Sequence, residues 1–240
     1  MRQGGASVGA YASLNITHYC GDSAQAVAEN RKRLCAALGL SDDRLILPRQ
    51  THGTAHVIID EAFLALPRAE QSGRLEGVDA VVCRVPNVCI GVSTADCIPI
   101  LLADPVSGTS AAVHAGWRGT VERIAARCIE MMQAEAGCKP ENLHAVVGPG
   151  IGMEAFEVGD EVYERFAAAG FPMHVVAARR GAKWHIDLPA ANFLQLEAAG
   201  LPLDHIRMSG ICTFSHPDQF FSARRLGLHS GRIFNGILMQ

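Results

Sequence analysis

Three residues stand out as potential metal ligands at the ends of apolar runs. They are His52 in Gln50-Thr51-His52-Gly53, Cys97 in Thr94-Ala95-Asp96-Cys97, and His114 in His114-Ala115-Gly116-Trp117-Arg118-Gly119. Two imidazoles and a thiolate form a donor set used for catalytic zinc, with a fourth position left for water or substrate. No fourth Cys or His adjoins them, so the set reads as open rather than closed. The same residues also fit a nucleophilic Cys97 with His114 or His52 as its base. They fit equally a buried thiol beside two hydrogen-bonded imidazoles, and spacing alone does not choose among the three.

Cys97 and His114 belong to one stretch whose apolar runs predict strands at 89–93, 98–103 and 109–113. Asp104-Pro105-Val106-Ser107-Gly108 has turn chemistry, because Pro presets φ and Gly accepts positive φ. With 104–107 as the loop, Ala103 pairs with Gly108, and Cys97 falls opposite His114. Such opposed residues hold their Cβ atoms about 4.5–5.5 Å apart. Pro99 sits awkwardly there, since Pro inside a paired strand marks an edge or a bulge. Gly116 and Gly119 are expected to turn the chain sharply beside the ligands. Thr120 is expected to cap a helix whose stripe of Val121, Ile124, Ala125, Cys128, Ile129 and Met132 ends at Gly137.

The other elements frame this stretch. Asp22 reads as the N-cap of a helix carrying Val27, Arg31, Leu34 and Leu38, which Gly39 stops. Strands at 45–47 and 55–59 flank the His52 loop, and residues 61–76 read as an irregular excursion. Residues 78–83 and 143–147 read as strands, the latter buried. Gly148-Pro149-Gly150 reads as a tight turn and lacks the dinucleotide-binding glycine spacing. A helix at 160–169, a hairpin around 179–181, and a helix at 188–199 capped by Asp187 follow. A strand at 206–212, a polar loop at 213–225 and a closing strand at 232–239 complete the chain. Strands and helices alternate, but short turns join several neighbouring strands. That mixture predicts mixed sheets within one α/β domain spanning residues 1–240.

Composition narrows the class. The formal charge is −3 over 240 residues, which gives no reason to expect nucleic-acid or anionic-membrane partners. No apolar run reaches the roughly 18 residues of a membrane span, and the N-terminus lacks a signal-peptide core. The cytoplasm is therefore the expected location. The eight cysteines are scattered without a Cys-x-x-Cys pair and read mostly as small core residues.

A set of motifs runs through the whole chain in order: Gly4-Gly5-Ala6-Ser7, Ser13-Leu14-Asn15, Gly21-Asp22, Asn30-Arg31, Gln50-Thr51-His52-Gly53, Val78-Asp79-Ala80, Ala95-Asp96-Cys97, the His114–Gly119 block, Gly148-Pro149-Gly150 and Phe221-Ser222-Ala223-Arg224-Arg225. In these the sequence resembles the YfiH family, whose members are variously called laccase-domain proteins or polyphenol oxidases, purine nucleoside phosphorylases, and peptidoglycan editing factors. The resemblance implies an α/β fold with mixed sheets sandwiched between helices, in αββα-like layers. It implies metal ligation by His52, Cys97 and His114. Family members usually carry a strand ahead of the segment at which this chain starts, so that sheet edge is expected to lack it.

The family names disagree, and the residues arbitrate in part. None of the ten histidines forms the His-x-His pairs of multicopper laccases, so zinc is expected and copper-dependent phenol oxidation is the lesser alternative. The zinc deaminase signature is absent too. The resemblance favours zinc-dependent phosphorolysis of purine nucleosides of the adenosine, inosine, guanosine and methylthioadenosine class, with adenosine deamination beside it. Arg118, Arg31 and Asp187 are then candidate catalytic residues; Asn15, Gln50, Trp117, Arg224 and Arg225 are candidate substrate contacts. Arg suits bidentate phosphate binding. Arg118 is further expected at the mouth of the Thr120 helix, where the dipole favours anions. Two other classes remain: an amidase that edits a cell-wall precursor using zinc or Cys97, and a non-enzymatic protein with a structural zinc.

Overall fold

Strands 80–83, 98–104 and 109–115 are apolar on both faces, so each face must be covered. The computed structural model describes residues 1–240 and shows how. Its strands are β1 (Leu45–Ile46), β2 (His56–Ile59), β3 (Ala80–Cys83), β4 (Val88–Thr94), β5 (Ile98–Asp104), β6 (Thr109–Ala115), β7 (His144–Val147), β8 (Glu157–Val158), β9 (Ala177–Arg180), β10 (Lys183–Ile186), β11 (Ile206–Met208) and β12 (Ile233–Met239). Its α-helices are α1 (Ala24–Leu38), α2 (Glu61–Leu64), α3 (Arg68–Arg74), α4 (Trp117–Val121), α5 (Ile124–Ala136), α6 (Asp160–Ala168), α7 (Met173–Val176), α8 (Leu188–Ala198) and α9 (Ala223–Leu226).

A six-stranded mixed sheet has the order β11-β7-β5-β6-β3-β2, and a three-stranded sheet the order β1-β4-β12. Alternation along the strands sorts the residues into layers. Val82, Ile100, Leu102, Ala111 and Val113 face α5 and α8, packing with Ile129, Met132, Ala191 and Leu196. Val81, Cys83 and Ala112 face the other way and meet Ile46, Val88, Ile90 and Val92 of the smaller sheet. The far side of that sheet, Leu45 and Cys89, packs with Cys35 of α1 and with Leu34 and Leu38. The order of layers is therefore helix, sheet, sheet, helix, as the resemblance implied. Burying each large aliphatic side chain contributes about 1.5–3 kcal/mol before entropy is counted. A separate sheet, β8-β10-β9, carries the hairpin expected around 179–181.

β5 and β6 are antiparallel neighbours, as the turn chemistry predicts, but the register differs by two. Asp104 pairs with Thr109 and Pro99 with His114, so Cys97 lies beyond the strand end instead of opposite His114. Asp104 stays in the strand because its carboxylate closes the turn, accepting from the N–H groups of Val106 (2.9 Å) and Ser107 (3.2 Å). Gly108 supplies the positive φ of 68°. A slip of two keeps every side chain on its face, where a slip of one would not. Pro99 makes neither edge nor bulge. It sits where the β5–β7 ladder ends, its carbonyl accepting from Gly148 (2.8 Å), so no ladder donor is missed inside the sheet.

Several other expectations are corrected. The N-cap of α1 is Ser23; the Asp22 carboxylate is drawn instead to Ser7 (2.6 Å) and Asn15 (2.8 Å). Residues 61–76 hold α2 and α3, with Phe63 buried as their anchor. β7 is half-buried, with His144 and Val146 exposed. The helix expected from Thr120 is two helices, broken at Arg123 with φ 64°. Thr120 is no cap, because it is buried inside α4 with its hydroxyl held by Asn192 (3.0 Å) and its carbonyl by Gln195 (3.0 Å). All eight cysteines are free thiols, and no helix is long and apolar enough to cross a membrane.

Candidate metal centre

His114 is the last residue but one of β6, on the face that Ala112 shares, toward the smaller sheet. Cys97 lies in the bend just before β5, and His52 in the loop between β1 and β2. One ligand atom from each lies within 4.8 Å of the other two, the reach of a single ion. The rings of His52 and His114 meet edge to face, with centroids 4.9 Å apart. His114 is buried, Cys97 partly so, and His52 exposed, so the cluster opens to solvent on the His52 side.

Asp79 builds this arrangement. It is wholly buried at the start of β3. One oxygen meets Nδ1 of His114 at 2.7 Å and accepts from the His52 N–H at 3.0 Å. The other accepts from the N–H groups of Gly53 (2.8 Å) and Thr51 (3.2 Å). Occupying Nδ1 leaves Nε2 of His114 for the cluster, and such a carboxylate raises the basicity of a ligating imidazole. The backbone bonds hold His52 at φ 65°, a conformation that non-glycine residues rarely adopt. Asp79 is a residue of the centre that ligand types and spacing alone do not mark out. Its signal was a charged residue opening an otherwise apolar strand, which is almost never buried without partners.

Asp96, at φ 86°, fixes Cys97 in the same way. Its carboxylate accepts from Thr213 (2.7 Å), Ser222 (3.0 Å) and the Arg224 N–H (2.7 Å), and its carbonyl from Ile151 (2.8 Å). The polar loop 213–225 is thereby anchored beside the cluster. Gly116 has φ −70°, so the expected sharp turn is not its role. It is needed for room, since a Cβ there would lie 2.9 Å from the His52 ring and 3.3 Å from the Cys97 sulfur. Gly150 likewise clears Ile98, so Gly148-Pro149-Gly150 buttresses the Cys97 corner.

The electrostatics follow from this packing. Burial pushes the Cys97 thiol up, but the charge of His114 and hydrogen bonds from both histidines outweigh it and bring it down to about 6. Burial pushes His114 down, but the Cys97 thiolate and the Asp79 carboxylate raise it to about 9. Burial of Asp79 is likewise outweighed by His114 and the Gly53 and Thr51 N–H groups, which hold its carboxyl below the usual range. The core thiols behave oppositely, Cys89 rising to about 11 and Cys128 to about 12 through burial. Without a metal, Cys97 and His114 thus each favour the charged form of the other. The donor set, the oriented Nε2 and the space kept by Gly116 all fit a zinc-like ion; copper suits the same soft and borderline donors.

The other candidates are placed variously. Trp117 and Arg118 follow Gly116 directly, and the exposed Arg118 guanidinium lies 4.4 Å over the Trp117 ring. Arg118 belongs to the short α4, so a long-helix dipole does not act on it. Gln50 bonds both backbone groups of Ser93 (2.7 and 2.9 Å), tying the His52 loop to β4. Asn15 is buried and bonded to Thr17, Cys20, Asp22 and the Arg232 N–H. Arg31 pairs with Asp42 (2.9 Å) and the Leu45 carbonyl (3.2 Å). Arg224 reaches the Glu157 carbonyl (3.1 Å) and Arg225 the Phe214 carbonyl (3.0 Å). Asp187 caps α8, accepting from Ala190 (2.9 Å), and faces a cavity shared with Gly148, Gly152 and Cys212 whose walls exclude the triad.

Known proteins resemble this chain along its full length. The family described as multi-copper polyphenol oxidoreductase laccase matches residues 1–240. A purine nucleoside phosphorylase of Bacteroides thetaiotaomicron is 44% identical over 241 residues, covering 100% of this chain and 89% of the relative. Adenosine deaminase RL5, from an unknown prokaryotic organism, is 47% identical over 230 residues, covering 95% and 87%. The crystal structure of YlmD from Geobacillus stearothermophilus superposes with a TM-score of 0.91 at 31% identity, covering 100% of this chain and 89% of that one.

Proposed function

The chain belongs to the laccase-like YfiH family, and we propose that it is a metal-dependent purine nucleoside phosphorylase with adenosine deamination as a companion activity. One observation carries the reading: His52, Cys97 and His114 converge within 4.8 Å at a solvent-open edge. The names borne by relatives at 44% and 47% identity point the chemistry toward purine nucleosides.

His52, Cys97 and His114 would hold a zinc ion, which when bound supplies Lewis-acid polarisation of a substrate oxygen or nitrogen. The remaining work belongs to the chain. Asp79 keeps His114 in one tautomer and fixes the His52 backbone. Asp96 holds the Cys97 corner against the 213–225 loop. Orthophosphate replaces the purine at the ribose C1′ in this reaction, so a cation must face the open edge. Arg118, stacked on Trp117 and free of hydrogen-bond partners, is assigned that role; Lys would replace it poorly for want of a planar fork. Gln50, Arg224 and Arg225 are assigned to holding the loops beside the cluster through the bonds described above, and Asn15 and Arg31 to fixing the N-terminal segment and α1. Asp187 is assigned to the α8 cap.

Incubating the purified protein with adenosine and phosphate and separating the products tests the reading. Adenine with ribose 1-phosphate is the expected outcome, with inosine as a minor product. Inosine alone would make the protein a deaminase. Neither product would return the site to amide-bond editing of a cell-wall precursor, and phenol oxidation only with added copper would mark the laccase name as incidental.

A further inference from the structure

Most arginines of this chain near the centre spend their N–H groups internally, on carboxylates or backbone carbonyls. Arg118 and Arg165 do not. Neither guanidinium makes a hydrogen bond or an ion pair, yet both are positioned: their carbons lie 4.4 and 5.8 Å from the centre of the same Trp117 ring. Stacking uses the face of a guanidinium and leaves its in-plane donors free. Arg118 comes from α4 and Arg165 from α6, so two separate elements bring like charges to one indole. Two cations gathered on one ring with no carboxylate paired to either make a site of concentrated positive charge. The indole itself follows Gly116, where an added Cβ would lie 2.9 Å from the His52 ring and 3.3 Å from the Cys97 sulfur.

We propose that Arg118 and Arg165, held by Trp117, form a clamp for the phosphate dianion, with Arg165 as a substrate-binding residue contributed by α6. This rests on the phosphorolysis reading for its role in catalysis, although anion binding itself does not require turnover. The clamp would hold free orthophosphate on the side chain that directly follows Gly116, the residue packed against the ligand cluster. Its two forks match oxygen pairs on the dianion. The only other arginine held over an indole without hydrogen bonds is Arg179, 5.5 Å from the Trp184 ring on the β9–β10 hairpin, and it serves as an internal control.

Titration calorimetry of the metal-loaded full chain with orthophosphate, and separately with adenosine 5′-monophosphate, at constant ionic strength tests the clamp. Arg165→Gln and Arg118→Gln should each weaken orthophosphate binding about tenfold or more, and Arg165→Lys should restore only part of it. Arg179→Gln should bind as the unaltered protein does, and metal content and melting temperature should hold in all four. In steady state, Arg165→Gln should raise KM for phosphate while leaving KM for adenosine in place. Unchanged orthophosphate affinity in Arg165→Gln overturns the proposal, as does saturable binding of the monophosphate ester with none of orthophosphate. If ribose 1-phosphate is never formed but orthophosphate binding depends on Arg165, the phosphorolysis reading falls and the clamp stands. If it is formed with an unchanged phosphate KM in Arg165→Gln, the reverse holds.

Discussion

Asp79→Asn keeps the volume of the buried side chain while removing the anion that faces Nδ1 of His114. Partners of this kind are worth about 10–100-fold in metal affinity. A loss of that size is expected in competition with a chromophoric chelator; unchanged affinity would show that Asp79 serves only the loop. A pH prediction follows from the same group of residues. Binding requires Cys97 deprotonated and His114 neutral, and these lie at about 6 and about 9. Between those values one proton, that of His114, leaves for each ion bound. Affinity should therefore rise about tenfold per pH unit in that window, level off above it, and fall more steeply below it as Cys97 also takes a proton. A flat profile from pH 6.5 to 8.5 would contradict this mutual favouring of charge by Cys97 and His114. That His52, Cys97 and His114 form one cluster was legible from their types and their places at the ends of apolar runs, with the family resemblance naming them as a set. Asp79 and Asp96 were not, because their roles lie in buried bonds to backbone groups far away in sequence.

The elements bring the ligands together with little slack. Gly116→Ala would place a methyl 2.9 Å from the His52 ring and 3.3 Å from the Cys97 sulfur, while the β6 ladder before it stays intact. Folded protein with metal binding weakened by at least an order of magnitude is expected, read from circular dichroism and metal titration on the same sample. Full metal affinity would mean that the ligands do not close around Gly116. The strands were readable from their apolar runs and turn residues, and so was the pairing of β5 with β6. The register was not, because the choice between closing the turn at Ala103 or at Asp104 depends on where the Asp104 carboxylate bonds. The break at Arg123 was hidden for a similar reason: the apolar stripe from Val121 to Met132 is continuous in sequence, while the partners of Thr120 and Arg123 at the break, Asn192, Gln195, Ala169 and Phe171, come from far along the chain.

Across the whole molecule, the centre joins the layers. His114 comes from the larger sheet, His52 from the loop that leaves the smaller one, and Cys97 from the connection between β4 and β5. An ion that binds only the folded chain stabilises it by about 4 kcal/mol when present at 1,000 times its dissociation constant. For a chain of this size that corresponds to roughly 8–16 °C in melting temperature. Chelation should lower the melting temperature by that order, and Cys97→Ala should remove the difference. Mixed sheets in one α/β domain could be anticipated from the alternation of strands and helices, and the layer order from the family resemblance. The metal centre is checked most directly by elemental analysis of protein purified without chelator, alongside Cys97→Ala prepared identically. One zinc per chain in the first and less than about a tenth of that in the second is predicted, since losing one of three protein ligands removes most of the affinity. Equal zinc in both would contradict a centre built from His52, Cys97 and His114.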